Sequence, residues 1–490
     1  MVSVCRLLWG PQRAINCYII LSIWILIIIA GIYKFLEPIQ PPPEATIISD
    51  PFQHLETDVK TRKIFQICNE PQSMIPGDEG ILNVKSWSLK GVLIVFRHGD
   101  RGPLQHIRNV STVDCGTPET DLLAAYRAYL HNATLLGKSS AWTGPGSFHG
   151  FPLIPTNARR CHLGQLTMRG VAQLLTLGDQ LKHSYTETWP RAKNLTAGDV
   201  AVYSTRYHRT FQSALALLYG LIPAETLSKL SFIESQSMTF CFKDCGCPIT
   251  EKYFKAVSKS MAENLRTHPA IKTLAQTTGN LIFSTDAEHG HFAQDPQSVR
   301  DALLTYICHD SNLPCDTPTN CIRRQNILGI FMYHDWMTSV QWKNREQRRL
   351  SLLLSYGLVK HIVAQMLRIL SDGAPHLVAY SGHDHTLLQL AAALGLHHDA
   401  SLCRYAGRLV FEVYANTAEG AGQSAGGAYF RLLANGRDVT RQIAFCKSAR
   451  ALREHVHVCR IEDIVRFLHD DYFTAFNVTN FKDACFAKSL

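Results

Sequence analysis

Gly91-Val92-Leu93-Ile94-Val95-Phe96-Arg97-His98-Gly99-Asp100-Arg101-Gly102-Pro103 decides the fold. Its first six residues are apolar and rich in β-branched side chains. They lack the polar alternation of a half-solvated strand. Such a run predicts a strand buried on both faces, which requires helices on both sides of a sheet. The run stops abruptly in arginines and a histidine spaced by glycine and proline. That predicts a loop at the strand's C-terminal end, where open α/β sheets bind their ligands.

The same grammar recurs along the chain. Asp199 to Ser204 reads as a strand, with a helix from Thr210 to Tyr219 after it. A long helix is expected over Leu350 to Leu370. Gly373 and Pro375 then lead to a strand, Leu377 to Ser381, and to a helix, Thr386 to Leu394. Leu166 to Tyr185 has helical spacing, and Arg408 to Tyr414 reads as a strand. Strands alternating with helices predict an α/β fold, a mainly parallel sheet sandwiched by helices.

Between about residues 221 and 349 the strand signal fades. Short helical pieces and six cysteines predict an inserted, disulfide-rich helical cap. Cys241, Cys245 and Cys247 are candidates to pair with Cys308, Cys315 and Cys321, in a connectivity the sequence leaves open. Zinc binding by the first three is the rival reading; an oxidising compartment favours disulfides.

That compartment follows from the N-terminus. Ala14 to Tyr33 holds no charge and matches the thickness of a bilayer. A single transmembrane signal-anchor is expected over 14–33, with a cleaved signal peptide and a buried core helix as rivals. Arg6 and Arg13 precede the span, so residues 1–13 are expected in the cytosol. Pro38 and Pro41-Pro42-Pro43 predict a stiff stem over 34–65. Residues 66–490 are then lumenal, and this layout is that of many Golgi membrane enzymes. Of the fifteen cysteines, Cys5 and Cys17 lie in or before the span. The remainder can form up to six disulfides with one thiol left over. Four sequons, at Asn109, Asn132, Asn194 and Asn477, are candidate glycosylation sites.

Composition narrows the function. A chain of 490 residues with 46% hydrophobic and 18% charged residues is globular, not disordered. The net charge of +9 is spread along the sequence. It suits an acidic substrate or an anionic surface and is too dilute for nucleic acid.

Three strand ends deliver reactive residues. The first brings Arg97, His98 and Arg101. The second brings Arg206, His208 and Arg209, and the third His383 and Asp384. Guanidinium forks match phosphate oxygens bidentately and hold a phosphoryl group through in-line displacement. A neutral imidazole can attack phosphorus, and a carboxylic acid can protonate a leaving alkoxide. Arginines then do what metal ions do elsewhere, so neither metal nor cofactor is expected.

Arg97-His98-Gly99-Asp100-Arg101-Gly102-Pro103 resembles the RHGxRxP signature of the histidine acid phosphatases. His383-Asp384 resembles that family's second signature. Leu166-Thr167-x-x-Gly170-x-x-Gln173 and Ser204-Thr205 with Arg209-Thr210 agree in order and spacing. The resemblance runs from about Val92 to the last cysteines and implies a phosphomonoester hydrolase working through a phosphohistidine. It implies that His98 is the nucleophile and Asp384 the proton donor. Arg97, Arg101, Arg209 and His383 would bind the phosphate. Arg206 stands where the family often has an acid, so it is a candidate extra substrate contact or a solvated cation. Cys403 lies in a segment without a match and is the candidate free thiol. Arg209 to Gly220, Phe240-Cys241 through Cys247-Pro248, and Asn435-Gly436-x-Asp438-Val439-Thr440 are similar to one branch of the family. That branch consists of Golgi enzymes that remove the 2-O-phosphate of xylose in the glycan joining glycosaminoglycans to proteoglycan core proteins. The expected partners are thus a phosphorylated glycan, the membrane and, alongside, a glycosyltransferase. A broad lysosomal or surface acid phosphatase is the alternative enzyme. An inactive glycan-binding scaffold is the alternative from another class; the intact reactive set argues against it.

Other clusters read more plainly. His289-Gly290-His291 and His397-His398-Asp399 lack a third partner and read as solvated loops, not metal sites. Arg323-Arg324, Arg159-Arg160 and Lys343 to Arg349 read first as solvated faces, with glycan contact as the sharper alternative. His106 and His208 flank the expected site, where packing or support is the default role.

Overall fold

The computed structural model describes residues 23–24, 59–82, 86–135, 146–283, 291–416, 427–446, 450–453 and 456–486. The chain divides into two units, Met1–His54 and Leu55–Leu490. In the first, Ile23 and Trp24 are helical and exposed. The rest of the expected span 14–33, the tail 1–13 and most of the stem lie outside the described residues.

The second unit is built on strands β1 (Trp87–Arg97), β2 (Val200–Thr205), β3 (Phe232–Ser235), β6 (Leu377–Gly382), β7 (Arg408–Asn416), β8 (Gly427–Ala434), β9 (Arg437–Asp438), β10 (Arg450–Arg453) and β11 (Val456–Arg460). They form one 9-stranded sheet in the order β10-β11-β8-β7-β1-β6-β2-β3, with β9 on β8. β4 (Cys315–Thr317) and β5 (Asn320–Cys321) make a separate small hairpin. Besides a single turn at Ala224–Leu227, the helices among the described residues are α1 (Val59–Cys68), α2 (Asp121–Leu135), α3 (Met168–Thr186), α4 (His208–Leu221), α5 (Ile249–Arg266), α6 (Pro269–Ile282), α7 (Pro296–Cys308), α8 (Arg324–Trp342), α9 (Arg345–Leu370), α10 (Asp384–Ala393), α11 (Ile461–Arg466) and α12 (Phe481–Phe486).

The sheet is mixed, which corrects the expectation of a mainly parallel one. β1, β6, β2 and β3 run parallel, but β7, β8, β11 and β10 pair antiparallel. The reason is where β7 starts. After α10 the chain returns to the C-terminal end of β1 and sets Arg408 opposite Phe96. β7 must therefore run down the sheet, and β8 comes back beside it.

Both faces of β1 are buried, as its unbroken apolar run requires. Leu93 and Val95 pack with Val363 of α9 and Leu387 of α10 in one core. Val92, Ile94 and Phe96 pack with Val171 of α3 and Leu215 of α4 in the other. Each such side chain contributes roughly 1.5–3 kcal/mol by leaving water. α3 and α4 lie so close that a Cβ on Gly178 would fall 2.1 Å from the Leu217 carbonyl oxygen. α9 is, among the described residues, the one helix long and apolar enough to cross a membrane. Two-thirds of that stretch is buried within the protein, as in a core helix.

Among the described residues six disulfides form, and Cys403 is free. The candidate pairing of Cys241, Cys245 and Cys247 with Cys308, Cys315 and Cys321 does not occur. Cys241 joins Cys245 and Cys315 joins Cys321, each within its own loop. Cys247 reaches Cys485 in α12, and Cys308 reaches Cys68 at the end of α1. These partners are 238 and 240 residues away in sequence, beyond any inference from local spacing. Cys115–Cys161 and Cys446–Cys459 complete the set. Cys115 and Cys161 also lie close to His309, but bonded sulfurs have no thiolate to offer a metal.

Candidate active site

Sheet register gathers the reactive residues. β6 lies between β1 and β2, with Arg97 opposite Gly382 and Ser204 opposite Ser381. Three parallel strands thus end at one level, and the loops after them open into one crevice.

The loop after β1 is held by α3. Thr167 caps that helix by accepting from the Gly170 N–H, and its hydroxyl donates to the Asp100 carboxylate at 2.5 Å. Gln173 accepts from the Asp100 N–H at 2.7 Å and donates to the Cys68 carbonyl. Gly99 meets Gly170 so closely that a Cβ on Gly99 would lie 2.3 Å from the Gly170 carbonyl oxygen. The Thr167-x-x-Gly170-x-x-Gln173 pattern is therefore a clamp on the loop.

His98 is buried, and its Nδ1 lies 2.7 Å from the Gly99 carbonyl oxygen. A carbonyl only accepts, so Nδ1 carries the hydrogen and Nε2 keeps its lone pair. Burial, then Arg209, Arg97, His383 and Arg101, hold the pKa of His98 well below the usual histidine range. The ring is neutral at pH 7.

Arg97 is fixed on three sides. It lies 3.0 Å from the Asp384 carboxylate, donates to the Cys403 carbonyl, and stacks 4.4 Å from the centre of the Tyr405 ring. Arg101 is gripped by both oxygens of Asp301 on α7, at 2.7 and 3.4 Å. Arg209, in the first turn of α4, lies over Tyr207 at 4.3 Å and donates to the Gly164 carbonyl. Burial and the nearby Arg101 pull its pKa down to about 10, so it remains a cation at neutral pH. The buried Nε atoms of Arg97 and Arg209 have no protein partner.

His383 stands edge-on to His98, with ring centres 5.5 Å apart, and its Nε2 lies 3.0 Å from the Thr205 hydroxyl. Burial and Arg209 push its pKa down. Asp384 opens α10 and accepts from the His385 N–H at 2.7 Å. Burial works to raise its pKa, but Arg97 and Arg101 outweigh it and keep the carboxyl ionised. The side chain is still 42% exposed, so it faces the crevice.

The structure thus brings together His98, Arg97, Arg101, Arg209, His383 and Asp384. Arg206 is exposed just after β2. His208 packs edge-on to Phe151 at 4.4 Å, and His106 is exposed. Asn109, Asn132, Asn194 and Asn477 are all exposed, as glycan attachment demands.

A family model described as histidine phosphatase superfamily (branch 2) matches residues 88–312. The 2-phosphoxylose phosphatase 1 of Xenopus tropicalis is 30% identical over 431 residues, covering 85% of this chain and 81% of that protein. The Homo sapiens protein of the same name is 30% identical over 414 residues, covering 81% of each. The chain belongs to the histidine phosphatase superfamily. It is a phosphoric monoester hydrolase. A lysosomal acid phosphatase of Xenopus laevis is also similar, at 25% identity over 359 residues, 71% of this chain and 70% of that protein.

Within this histidine phosphatase, sequence reasoning missed three residues. Asp301 sits in mid-helix in Ser298-Val299-Arg300-Asp301, and no local pattern marks it. Tyr405 and Tyr207 carry the arginine stacking. Only Tyr207 had a signal, two residues before Arg209.

Proposed function

We propose that the chain hydrolyses a sugar phosphate monoester, the 2-O-phosphate of xylose in the proteoglycan linkage glycan, through a phosphohistidine. The observation that supports it most is the ring of arginines around a neutral His98 whose Nε2 is free to attack. The substrate follows from the relatives named for phosphoxylose, which match more of the chain than the acid phosphatase does.

Arg97, Arg101, Arg209 and His383 hold the phosphate. The unpartnered Nε–H groups of Arg97 and Arg209 are ready donors to its oxygens. Nε2 of His98 attacks phosphorus in line, and the bond from phosphorus to the ester oxygen breaks. Asp384 gives its proton to the departing oxygen. Water then attacks the phosphohistidine, returns a proton to Asp384 and frees phosphate. Arg206 is offered as a contact to the charged glycan.

The same reading makes the protein a type II Golgi membrane enzyme, anchored by 14–33 through a stem over 34–65. Residues 66–490 would form the lumenal catalytic domain, with the helical cap at about 221–349 inserted into it. The six disulfides and four exposed sequons are in keeping with an oxidising lumen. A glycosyltransferase working on the same chain is the proposed partner.

The test is phosphate release by the full chain from a linkage oligosaccharide bearing 2-phosphoxylose, beside His98→Ala. Release by the wild type alone supports the reading. Turnover of an aryl phosphate without turnover of the oligosaccharide discards the substrate and keeps the chemistry.

A further inference from the structure

Beside the phosphate site lies a second cavity of about 560 Å³, between α1, α8 and residues 398–404. It shares Arg300, His334, Thr338 and Cys403 with a larger cavity of about 900 Å³ that opens on Asp384. Three side-chain atoms on its wall are buried without a hydrogen-bond partner. They are Nε of Arg300, Nε of Arg404 and Nε2 of His398. The two guanidinium N–H groups can only donate, and a ring nitrogen donates whenever it carries the hydrogen. An unmet buried donor is expensive, more so when charged. Unmet donors on one wall therefore ask for a ligand rich in acceptors.

Charge selects the same ligand. Lys63, Arg300, Arg404 and Arg437 line the cavity against Asp335 and Asp399. Asp399 is already engaged by the Ser401 N–H at 2.8 Å and by Arg437 at 3.4 Å. Burial, with Arg408 and Arg437 close by, pulls the pKa of Arg404 down to about 10, a strain that an anion would relieve. Size allows a sugar-sized group.

Position ties the cavity to the reaction. Asp384 faces the leaving oxygen, so the alcohol part of the ester extends into the larger cavity. The next groups along that chain arrive at Arg300, on the wall common to both. We propose that the smaller cavity, through Arg300 and Arg404, binds a second acidic group, a carboxylate or a sulfate, on the glycan that carries the phosphate ester. This deepens the phosphorylated-glycan reading above and rests on it.

The test uses the full chain and three 2-phosphoxylose oligosaccharides of one length: neutral, ending in a uronic acid, and bearing one sulfate. The preferred acidic substrate should exceed the neutral one in kcat/KM by roughly tenfold to a hundredfold, the worth of charged hydrogen bonds. Which acidic arm gains identifies the group. Arg300→Gln and Arg404→Gln should each bring that ratio towards one, and Arg300→Lys should keep part of it. A wild-type ratio near one, or a ratio unmoved in both glutamine variants, overturns the proposal. Inhibition of aryl phosphate turnover by the phosphate-free oligosaccharides separates the two readings. Acid-selective inhibition that the variants lose, without cleavage of phosphoxylose, keeps the subsite and removes the substrate. Cleavage without acid selectivity does the reverse. If one glutamine variant fails to fold, the other decides.

Discussion

The Arg97 guanidinium and the Asp384 carboxylate form an ion pair at 3.0 Å. In the mechanism proposed above one residue is a phosphate ligand and the other the proton donor, so the pair sets a conflict. A donor must carry its proton, yet Arg97 and Arg101 keep Asp384 ionised. Bound phosphate resolves it. The dianion draws on both arginines and adds negative charge beside Asp384. Both effects raise the carboxyl's pKa, so substrate brings in its own acid.

The pH profile should show this. Asp384 must be protonated in the complex, so kcat falls as pH rises through its raised pKa. His98 must be neutral in the free enzyme. Its lowered pKa puts the acid limb of kcat/KM below the ordinary histidine value of 6.5. In Asp384→Asn the alkaline limb of kcat should vanish. Titration of the wild type in saturating oligosaccharide is the check; an alkaline limb that persists in the variant removes Asp384 from the acid role.

Leaving groups separate acid catalysis from binding. Asp384→Asn should lower turnover of a sugar phosphate by about 10²–10⁴, because an alkoxide needs the proton. An aryl phosphate should lose far less. Equal losses on both substrates would assign Asp384 to orientation of Arg97. His98→Ala should abolish both activities, and rapid acid-free quenching of the wild type should trap phosphate on a histidine that the variant lacks.

Asp301 positions Arg101 through two contacts. Asp301→Ala leaves a buried cation unpaired. A loss of about 2–3 kcal/mol in stability is expected, below the 3–5 of a fully buried pair because Asp301 is partly exposed. The freed guanidinium also loses its aim, so KM for phosphate esters should rise about tenfold while kcat changes less. Asp301→Asn, which keeps one acceptor for Arg101, should recover part of KM. A purely structural aspartate would change melting and leave KM alone.

How far the sequence speaks depends on distance along the chain. β1, β2 and β6 were legible because each is a short apolar run ending in charged residues, and the six candidate site residues lie at or just beyond their C-terminal ends. Asp301 was not legible, because a mid-helix aspartate finds Arg101 only when α7 folds over the loop. Among the antiparallel strands β7 is legible at Arg408 to Tyr414. β9 and β10 have two and four residues, too few for a periodic pattern. Cys68–Cys308 could not be read at all, since the 240 residues between them set no local rule.

Several histidines are buried neutral, and they tie stability to pH. His361 is the cleanest case outside the site. It stacks on Phe242 at 4.1 Å, its Nδ1 lies 2.7 Å from the Tyr380 hydroxyl, and burial lowers its pKa to about 4. The sign follows from proton counting. Between pH 6.5 and about 4 the unfolded chain holds a proton on this residue that the folded chain refuses. Stability therefore falls as pH falls across that window. His361→Phe keeps the ring stack and removes the proton site, so the stability of this variant should fall less steeply from pH 6.5 to 4. Urea unfolding of both proteins across that range is the measurement. Parallel slopes would mean that His361 is protonated in the folded protein as readily as in the unfolded chain, and that its burial does not set the acid sensitivity.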